Sequence, residues 1–291
     1  MKNCHAMPAS CVLARARRIT YILLACLTCM PVFAQQTFLE RWQARASATQ
    51  AEQPKWIVPV VSPYPTLIQV FRSDFSRQIS STGVTTWNLG TSRGLNLIPF
   101  ARTEFDFFVP PFFEHSDKTP NGFGDFSTAA KYRIASGNEQ HGNYSVAAIV
   151  TASVPTGSYK NGIADASVNP ALSAGKGWKQ FDAAVTLGGT LPTGDTHSIG
   201  RTVTTNAYAQ YHVAKYLWPE LEVNETAWYG GTRDGKVQTF LTPGMMFGKF
   251  ALHPDKPARR PGFAAGVAFQ TSATHYHTYN HSLIFTGRFL F

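Results

Sequence analysis

Charged side chains recur at every second position in two stretches of this sequence, the spacing that places side chains on one face of a β-strand. The two sets are Arg102, Glu104 and Asp106, and Asp125, Lys131 and Arg133. On neighbouring strands, these acids and bases can pair with each other across the sheet. Two interpretations stay open. The charges form a polar constriction that selects solutes, or they neutralise one another and brace a filled barrel interior.

Further polar residues share the inward parity that we assign to later strands. With the charged sets above, they complete our candidates for a solute path along a lumen wall. These additional candidates are Asp182, Gln210, His212, Glu222 and Arg288.

His275, His277 and His281 raise the question of a metal site. No cysteine or carboxylate lies near them, so we expect polar and aromatic packing, with no metal and no cofactor. His281 and Ser282 are consecutive and point to opposite faces of a strand, which prevents a nucleophile–base pair. The sequence also lacks a Gly-x-Ser-x-Gly elbow, a phosphate-binding loop and a His-Glu-x-x-His motif. We therefore expect no enzyme activity.

The N-terminus has the pattern of an export signal. Arginines at positions 15, 17 and 18 precede an apolar run over residues 19–30, and small residues favour cleavage after Ala34. The alternative is a lipoprotein signal, because residues 23–26 resemble a lipidation box ending at Cys26. All four cysteines lie in this segment, so the mature chain has no disulfide chemistry.

Composition points away from an ordinary soluble protein. Hydrophobic residues make up 44% of the chain and charged residues only 15%, which is low for a surface that faces water. The formal net charge is +9, but no stripe dense in lysine and arginine accompanies it. We therefore expect no nucleic-acid partner.

Residues 35–66 do not alternate, and residues 54–65 hold four prolines, which bars a central strand there. We interpret residues 35–66 as a periplasmic extension or small plug, or as a disordered leader. Residues 67–291 alternate between apolar and polar positions and form the predicted barrel domain, after the signal at 1–34. The predicted strands lie near 67–78, 83–90, 95–109, 123–135, 142–155, 167–175, 178–192, 202–215, 217–230, 237–250, 261–273 and 280–291.

About twelve strands with one apolar face and one small or polar face predict a transmembrane antiparallel β-barrel, an all-β fold. A short internal repeat supports this prediction. Pro-Thr-Gly occurs at 155–157 and again at 192–194, and each copy follows the end of an alternating stretch. The last stretch alternates to the final residue, Phe291. An aromatic C-terminus is typical of the signal that barrel-assembly machinery reads.

The segment Asn121 to Arg133 contains Gly-Phe-Gly-Asp at 122–125 and Lys-Tyr at 131–132. With residues 94–100, both Pro-Thr-Gly corners, residues 215–220 and residues 277–281, it resembles a family of outer-membrane transporters named for a MetA pathway of phenol degradation. The resemblance implies a barrel and a transport function. Glu225 departs from the pattern, because its parity places it on the outward face; a bulge or a rim position would explain it.

Together these features predict an outer-membrane channel for small hydrophobic or aromatic solutes. The alternative is a structural or surface-interaction barrel with a closed lumen, whose contact surface would be the aromatic loop at 110–113. The expected partners are outer-membrane lipid and lipopolysaccharide, the barrel-assembly machinery through Phe291, and a small-molecule solute.

Overall fold

The computed structural model describes residues 38–158, 160–252 and 261–291, so the predicted export signal lies outside the described residues. The chain divides into two units, Met1–Ser47 and Ala48–Phe291. Helix α1 covers residues 38–51, and within the first unit the rings of Phe38 and Trp42 lie 5.9 Å apart. None of the described helices is long and apolar enough to cross a membrane.

The second unit is built from one antiparallel sheet of fifteen strands. They are β1 (Val70–Ile79), β2 (Thr85–Gly90), β3 (Gly94–Phe100), β4 (Thr103–Phe108), β5 (Phe112–His115), β6 (Gly122–Phe123), β7 (Phe126–Gly137), β8 (Tyr144–Val154), β9 (Ser167–Trp178), β10 (Phe181–Pro192), β11 (Arg201–Tyr211), β12 (Leu217–Tyr229), β13 (Val237–Ala251), β14 (Gly262–Ser272) and β15 (His281–Leu290). A four-residue helix, α2 (Thr196–Ile199), lies between β10 and β11.

The sheet closes on itself. Strand β1 pairs with β15 along its whole length, from Val70 opposite Leu290 to Ile79 opposite His281. Three strands of the barrel wall are each broken into two segments. The segments β2 and β3 form one such strand, β4 and β5 form the next, and β6 and β7 form the third. The fifteen segments therefore make a closed twelve-stranded barrel, as the sequence predicts.

The predicted strand at 95–109 is wrong, because the structure has a hairpin turn inside it. Phe100 pairs with Thr103 across Ala101 and Arg102, and Arg102 has a positive φ of 64°. The two-residue turn alone would reverse the parity, because the paired residues Phe100 and Thr103 are three positions apart. A register irregularity between Leu97 and Phe100 restores it, so Asn96 lies opposite Asp106 on the same face. The alternating pattern therefore continues through the turn without revealing it.

Inward and outward residues alternate along the wall. On β10, Asp182, Ala184 and Thr186 are buried, whereas Val185 and Leu187 are exposed on the outside. Large apolar side chains are similarly exposed on every long strand, which gives the barrel an apolar outer surface. Such a surface is suited to lipid rather than to water.

Residues 54–69, which we call the luminal segment, run through the interior. Inward side chains on β1, β4, β7, β8, β10, β12 and β15 all bond to its backbone. Strands around the whole circumference can reach one segment only if it lies inside the barrel. We call the barrel end at Val70 and Leu290 the terminal rim, and the opposite end the loop rim.

Candidate functional site

Two carboxylates on strand β12 bind the backbone amides of the luminal segment. Oε1 of Glu222 accepts a hydrogen bond from the amide of Val61 at 2.8 Å, and Oε2 accepts one from Ser62 at 2.5 Å. Two residues earlier on the same face, Glu220 accepts from the amide of Val60 at 3.0 Å. Gln210 orients that carboxylate by donating to it at 2.6 Å. Amides that the prolines leave without sheet partners are thereby satisfied.

Two arginines hold the carbonyl side of the same stretch. Arg288 on β15 donates to the carbonyl oxygens of Val58 and Pro59, the latter at 2.7 Å. Arg72 on β1 donates to Pro59 at 3.4 Å and to Val60, and it forms an ion pair with Asp74 at 2.5 Å. Donors and acceptors from different sectors of the wall thus bind both sides of one backbone stretch.

A buried ion pair holds the next part of the segment. Nζ of Lys131 lies 2.7 Å from Oε1 of Glu104, its direct register partner on β4, and 3.7 Å from the ring centre of Tyr64. Lys131 also donates to the carbonyl of Thr66 at 3.3 Å, while Glu104 accepts from the amide of Ile68. The acid and the base that the sequence placed on neighbouring strands therefore meet, and both bind the luminal segment.

A cavity of about 280 Å³ lies inside the barrel between Tyr64 and the wall, and it extends toward the loop rim. Its polar lining includes Arg93, Asn96 and Asp106, and its apolar lining includes Phe108 and Ile149. An interior that mixes the two kinds of side chain can hold a small solute with an apolar body and a few polar groups.

The structure places three of the predicted site residues outside the regular strands of the wall. Arg102 lies exposed in the β3–β4 turn, because the alternation hides that turn. His212 lies beyond the end of β11, at the terminal rim, with its ring stacked on Trp218 at 3.9 Å. Asp125 lies in the break before β7 and accepts from the amides of Gly157, at 2.8 Å, and Ile163, at 2.6 Å. Asp125 therefore anchors a loop and does not line the interior wall.

The Gly-Phe-Gly-Asp motif and the first Pro-Thr-Gly corner consequently form one structural unit at the loop rim. A side chain at Gly157 or Gly162 would collide with Asp125, because an added Cβ would lie 2.8 and 2.4 Å from its Oδ1. The second corner repeats the arrangement, since a Cβ at Gly194 would lie 2.8 Å from Oδ1 of Asp165. In the loop that follows, hydrogen bonds from Ser198 hold the pKa of Asp195 below its usual value.

The remaining predicted residues face the interior. Arg133 binds the carbonyl of Thr49 at 2.5 Å and the carboxylate of Glu52 at 2.6 Å, just before the luminal segment. Asp106 accepts from Asn96 at 2.5 Å. Asp182 is 2% exposed, and its Oδ1 has no hydrogen-bond partner among the described residues.

The loop-rim histidines make contacts within the protein. The two ring nitrogens of His277 lie 2.9 Å from the carbonyl oxygen of Thr274 and 2.7 Å from Oδ1 of Asn280. His281 packs against Phe269, with ring centres 5.7 Å apart. No group of three or more side chains suited to a metal ion occurs in the described ranges.

Sequence reasoning missed several residues that hold the segment. Arg72 and Asp74 alternate on the first predicted strand, and Glu220 shares the parity of Glu222, so spacing alone could have identified all three. Glu225 does face outward, in an unbroken register with β11 and β13, and Thr239 donates to it at 3.3 Å. It lies toward the loop rim, so a rim position and not a bulge explains it.

The comparisons with known proteins agree with this architecture. The model of a family described as "Putative MetA-pathway of phenol degradation" matches residues 69–244. An outer-membrane channel from Pseudomonas putida F1 superposes with a TM-score of 0.52 at 15% identity, covering 81% of this chain and 100% of that one. The NanC porin gives 0.50 at 9% identity, covering 77% and 98%. At such identities the likeness establishes the fold alone. No curated protein matches the sequence.

Proposed function

The chain belongs to the "Putative MetA-pathway of phenol degradation" family, and on that premise we propose that it is an outer-membrane channel for small hydrophobic or aromatic solutes. The apolar outer surface suits lipid contact, and the fold is that of porin-like outer-membrane channels. The proposed role is non-enzymatic transport. The observation that carries it is the luminal cavity of about 280 Å³ with its mixed lining.

In this proposal the luminal segment is the closing element of the path. A solute enters the cavity from the loop rim and meets Tyr64, whose ring is 8% exposed. Passage then requires the segment to shift, since its backbone is bound by β12, β1 and β15. We therefore expect small and infrequent conductance steps in the absence of solute.

The second candidate is a structural barrel with a permanently closed lumen. The same hydrogen bonds favour it, because they brace a filled interior. The aromatic loop at 110–113, which the sequence predicts as its contact surface, does not have that form in the structure. Phe112 and Phe113 belong to strand β5, and Phe112 packs against Phe123 with ring centres 5.1 Å apart, so they do not form a free aromatic loop.

Planar-bilayer recordings of the refolded full chain distinguish the two candidates. A channel gives discrete current steps, and a deletion strain shows slower uptake of aromatic or other apolar solutes. A silent bilayer together with unchanged uptake in the deletion strain would reject the channel and favour the structural barrel.

A further inference from the structure

A second cavity, of about 350 Å³, lies at the terminal rim between the luminal segment and the inner wall formed by β13, β14 and β15. We call it the terminal pocket. It is separate from the luminal cavity described above and has largely apolar walls. Its apolar side chains include Trp56, Ile57, Val58, Ile68, Trp218 and Leu290.

The charged residues that line the terminal pocket are all basic. They include Lys55, Lys215 and Arg288, and none of its described lining residues is an aspartate or glutamate. Arg288 is 3% exposed, and its hydrogen bonds run to the carbonyl oxygens of Val58 and Pro59 and to the hydroxyl of Thr286, which are neutral acceptors. Arg288 therefore has no directly bonded carboxylate. The two carboxylates that interact with it at longer range, Asp74 and Glu220, are bound directly by Arg72 and Gln210.

Three exposed lysines, Lys55, Lys215 and Lys249, line the pocket and add to this field at its mouth. Nζ of Lys215 lies 5.0 Å from the ring centre of Tyr216, and the interaction with that side chain raises the pKa of Lys215. Lys55, the second residue of the luminal segment, is exposed next to Trp56, and its backbone amide donates to Glu139 at 2.8 Å. The mouth is therefore positively charged and the walls behind it are apolar.

This combination selects for one class of ligand. A buried cation with no directly bonded carboxylate is costly, and an anion beside it recovers part of that cost. Apolar walls favour a ligand whose remaining atoms are also apolar. The volume is at the lower end of the range for ligand sites, which suits one small molecule and not a two-chained lipid.

We propose that the terminal pocket is a binding site for a small amphipathic organic anion, a carboxylate with an aromatic or aliphatic body. The carboxylate lies toward Arg288, Lys55 and Lys215, and the body packs against Trp56 and Ile68. This inference goes beyond the channel function and does not depend on it, because it concerns binding at one rim and not passage through the barrel.

Calorimetry on the full chain in phosphatidylcholine nanodiscs tests the charge requirement. The probes are 4-phenylbutyrate, 4-phenylbutanol and 4-phenylbutylammonium, which share one apolar body and differ in charge. We expect the carboxylate to bind about tenfold more tightly than the alcohol, and the ammonium more weakly still. Its affinity falls as salt is added, because the lysines are exposed. Equal binding of the three probes, or tightest binding of the ammonium, would overturn the proposal.

Matched variants locate the site. We expect the double variant Lys55→Gln, Lys215→Gln to bind 4-phenylbutyrate about fivefold more weakly, as suits the loss of two partly exposed cations. The control Lys118→Gln, Lys236→Gln removes two exposed lysines at the loop rim and leaves the affinity unchanged. All four positions are exposed, so folding is retained. An equal loss in both double variants would mean that net charge, and not the terminal pocket, attracts the anion.

The outcome is independent of the conductance test. A barrel that binds the carboxylate without conducting supports the pocket and contradicts the channel. A barrel that conducts without charge-dependent binding at this rim supports the channel and contradicts the pocket.

Discussion

Lys131 and Glu104 illustrate how a single pair of residues supports the barrel interior. Both side chains are at most 3% exposed, and they meet at 2.7 Å. Lys131→Met keeps an apolar stem but leaves the carboxylate buried without its counter-ion, so we expect the free energy of unfolding to fall by about 3–5 kcal/mol. The double variant Lys131→Met, Glu104→Gln should recover most of this loss. Guanidinium unfolding in lipid vesicles measures both, and strictly additive losses would show that the pair is not coupled.

Asp125 has a structural role that a neighbouring acid does not share. Asp125→Ala removes the acceptor for the amides of Gly157 and Ile163, so we expect the loop between β8 and β9 to open. Trypsin should then cleave after Lys160 in the refolded protein. The control is Asp117→Ala, since Asp117 caps only the local amide of Thr119. Equal cleavage in the two variants would contradict the anchoring role of Asp125.

At the scale of the element, strand β7 offers two alanines for the same substitution at different depths in the bilayer. Ala130 and Ala135 are both exposed on the outside, but Ala130 lies in the middle of β7 and Ala135 near the terminal rim. An arginine facing lipid costs about 2–4 kcal/mol at mid-bilayer and about 0–1 kcal/mol near the interface. We expect Ala130→Arg to impair assembly and Ala135→Arg to assemble normally. Heat-modifiable mobility on a gel reports both, and the reverse order would refute the assigned register.

The luminal segment is the element on which the proposed function depends most. Glu222→Ala frees the amides of Val61 and Ser62, so we expect larger or more frequent current steps in planar bilayers. Glu225→Ala is the matched control, because Glu225 lies on the same strand but faces outward. Identical recordings from the two variants would mean that the hydrogen bonds between Glu222 and the luminal segment do not limit conduction.

Room for the luminal segment is provided by small residues on the facing wall. An added Cβ at Gly175 would lie 2.9 Å from the ring of Trp56, and one at Gly177 would lie 2.8 Å from its indole nitrogen. Trp56 donates from that nitrogen to Asn143 at 3.1 Å. The two glycines on β9 are therefore part of how the barrel accommodates the segment.

At the scale of the whole molecule, the seam between the first and last strands defines the barrel. Ser73 lies opposite Gly287, and the sequence has no cysteine after Cys29. Directly opposed strand residues lie within disulfide range, so we expect Ser73→Cys, Gly287→Cys to crosslink on oxidation. The pair Ser73→Cys, Ala265→Cys lies one strand further apart and should not crosslink. A shift in non-reducing gel mobility measures closure, and crosslinking of the second pair alone would contradict the strand order.

The sequence by itself determined the closed barrel and its family. Period-two alternation, the aromatic final strand and the Gly-Phe-Gly-Asp motif all depend on local spacing. In a strand, that spacing determines directly which face each side chain occupies. The parity of Glu104, Lys131 and Glu222 was also readable, because each lies inside a regular strand.

Only the tertiary structure decided what those inward residues contact. Residues 54–66 carry no alternation, and their partners lie as far as 230 positions away, so neither periodicity nor spacing reveals that they fill the barrel. Turns and strand breaks were hidden for a related reason. The irregularity between Leu97 and Phe100 offsets the parity change of the turn at Arg102, and the break before β7 places Asp125 on a loop. An inward charged side chain can line a solute path or bind the backbone of the luminal segment. Which of the two it does depends on what occupies the barrel, and only long-range packing determines the occupant.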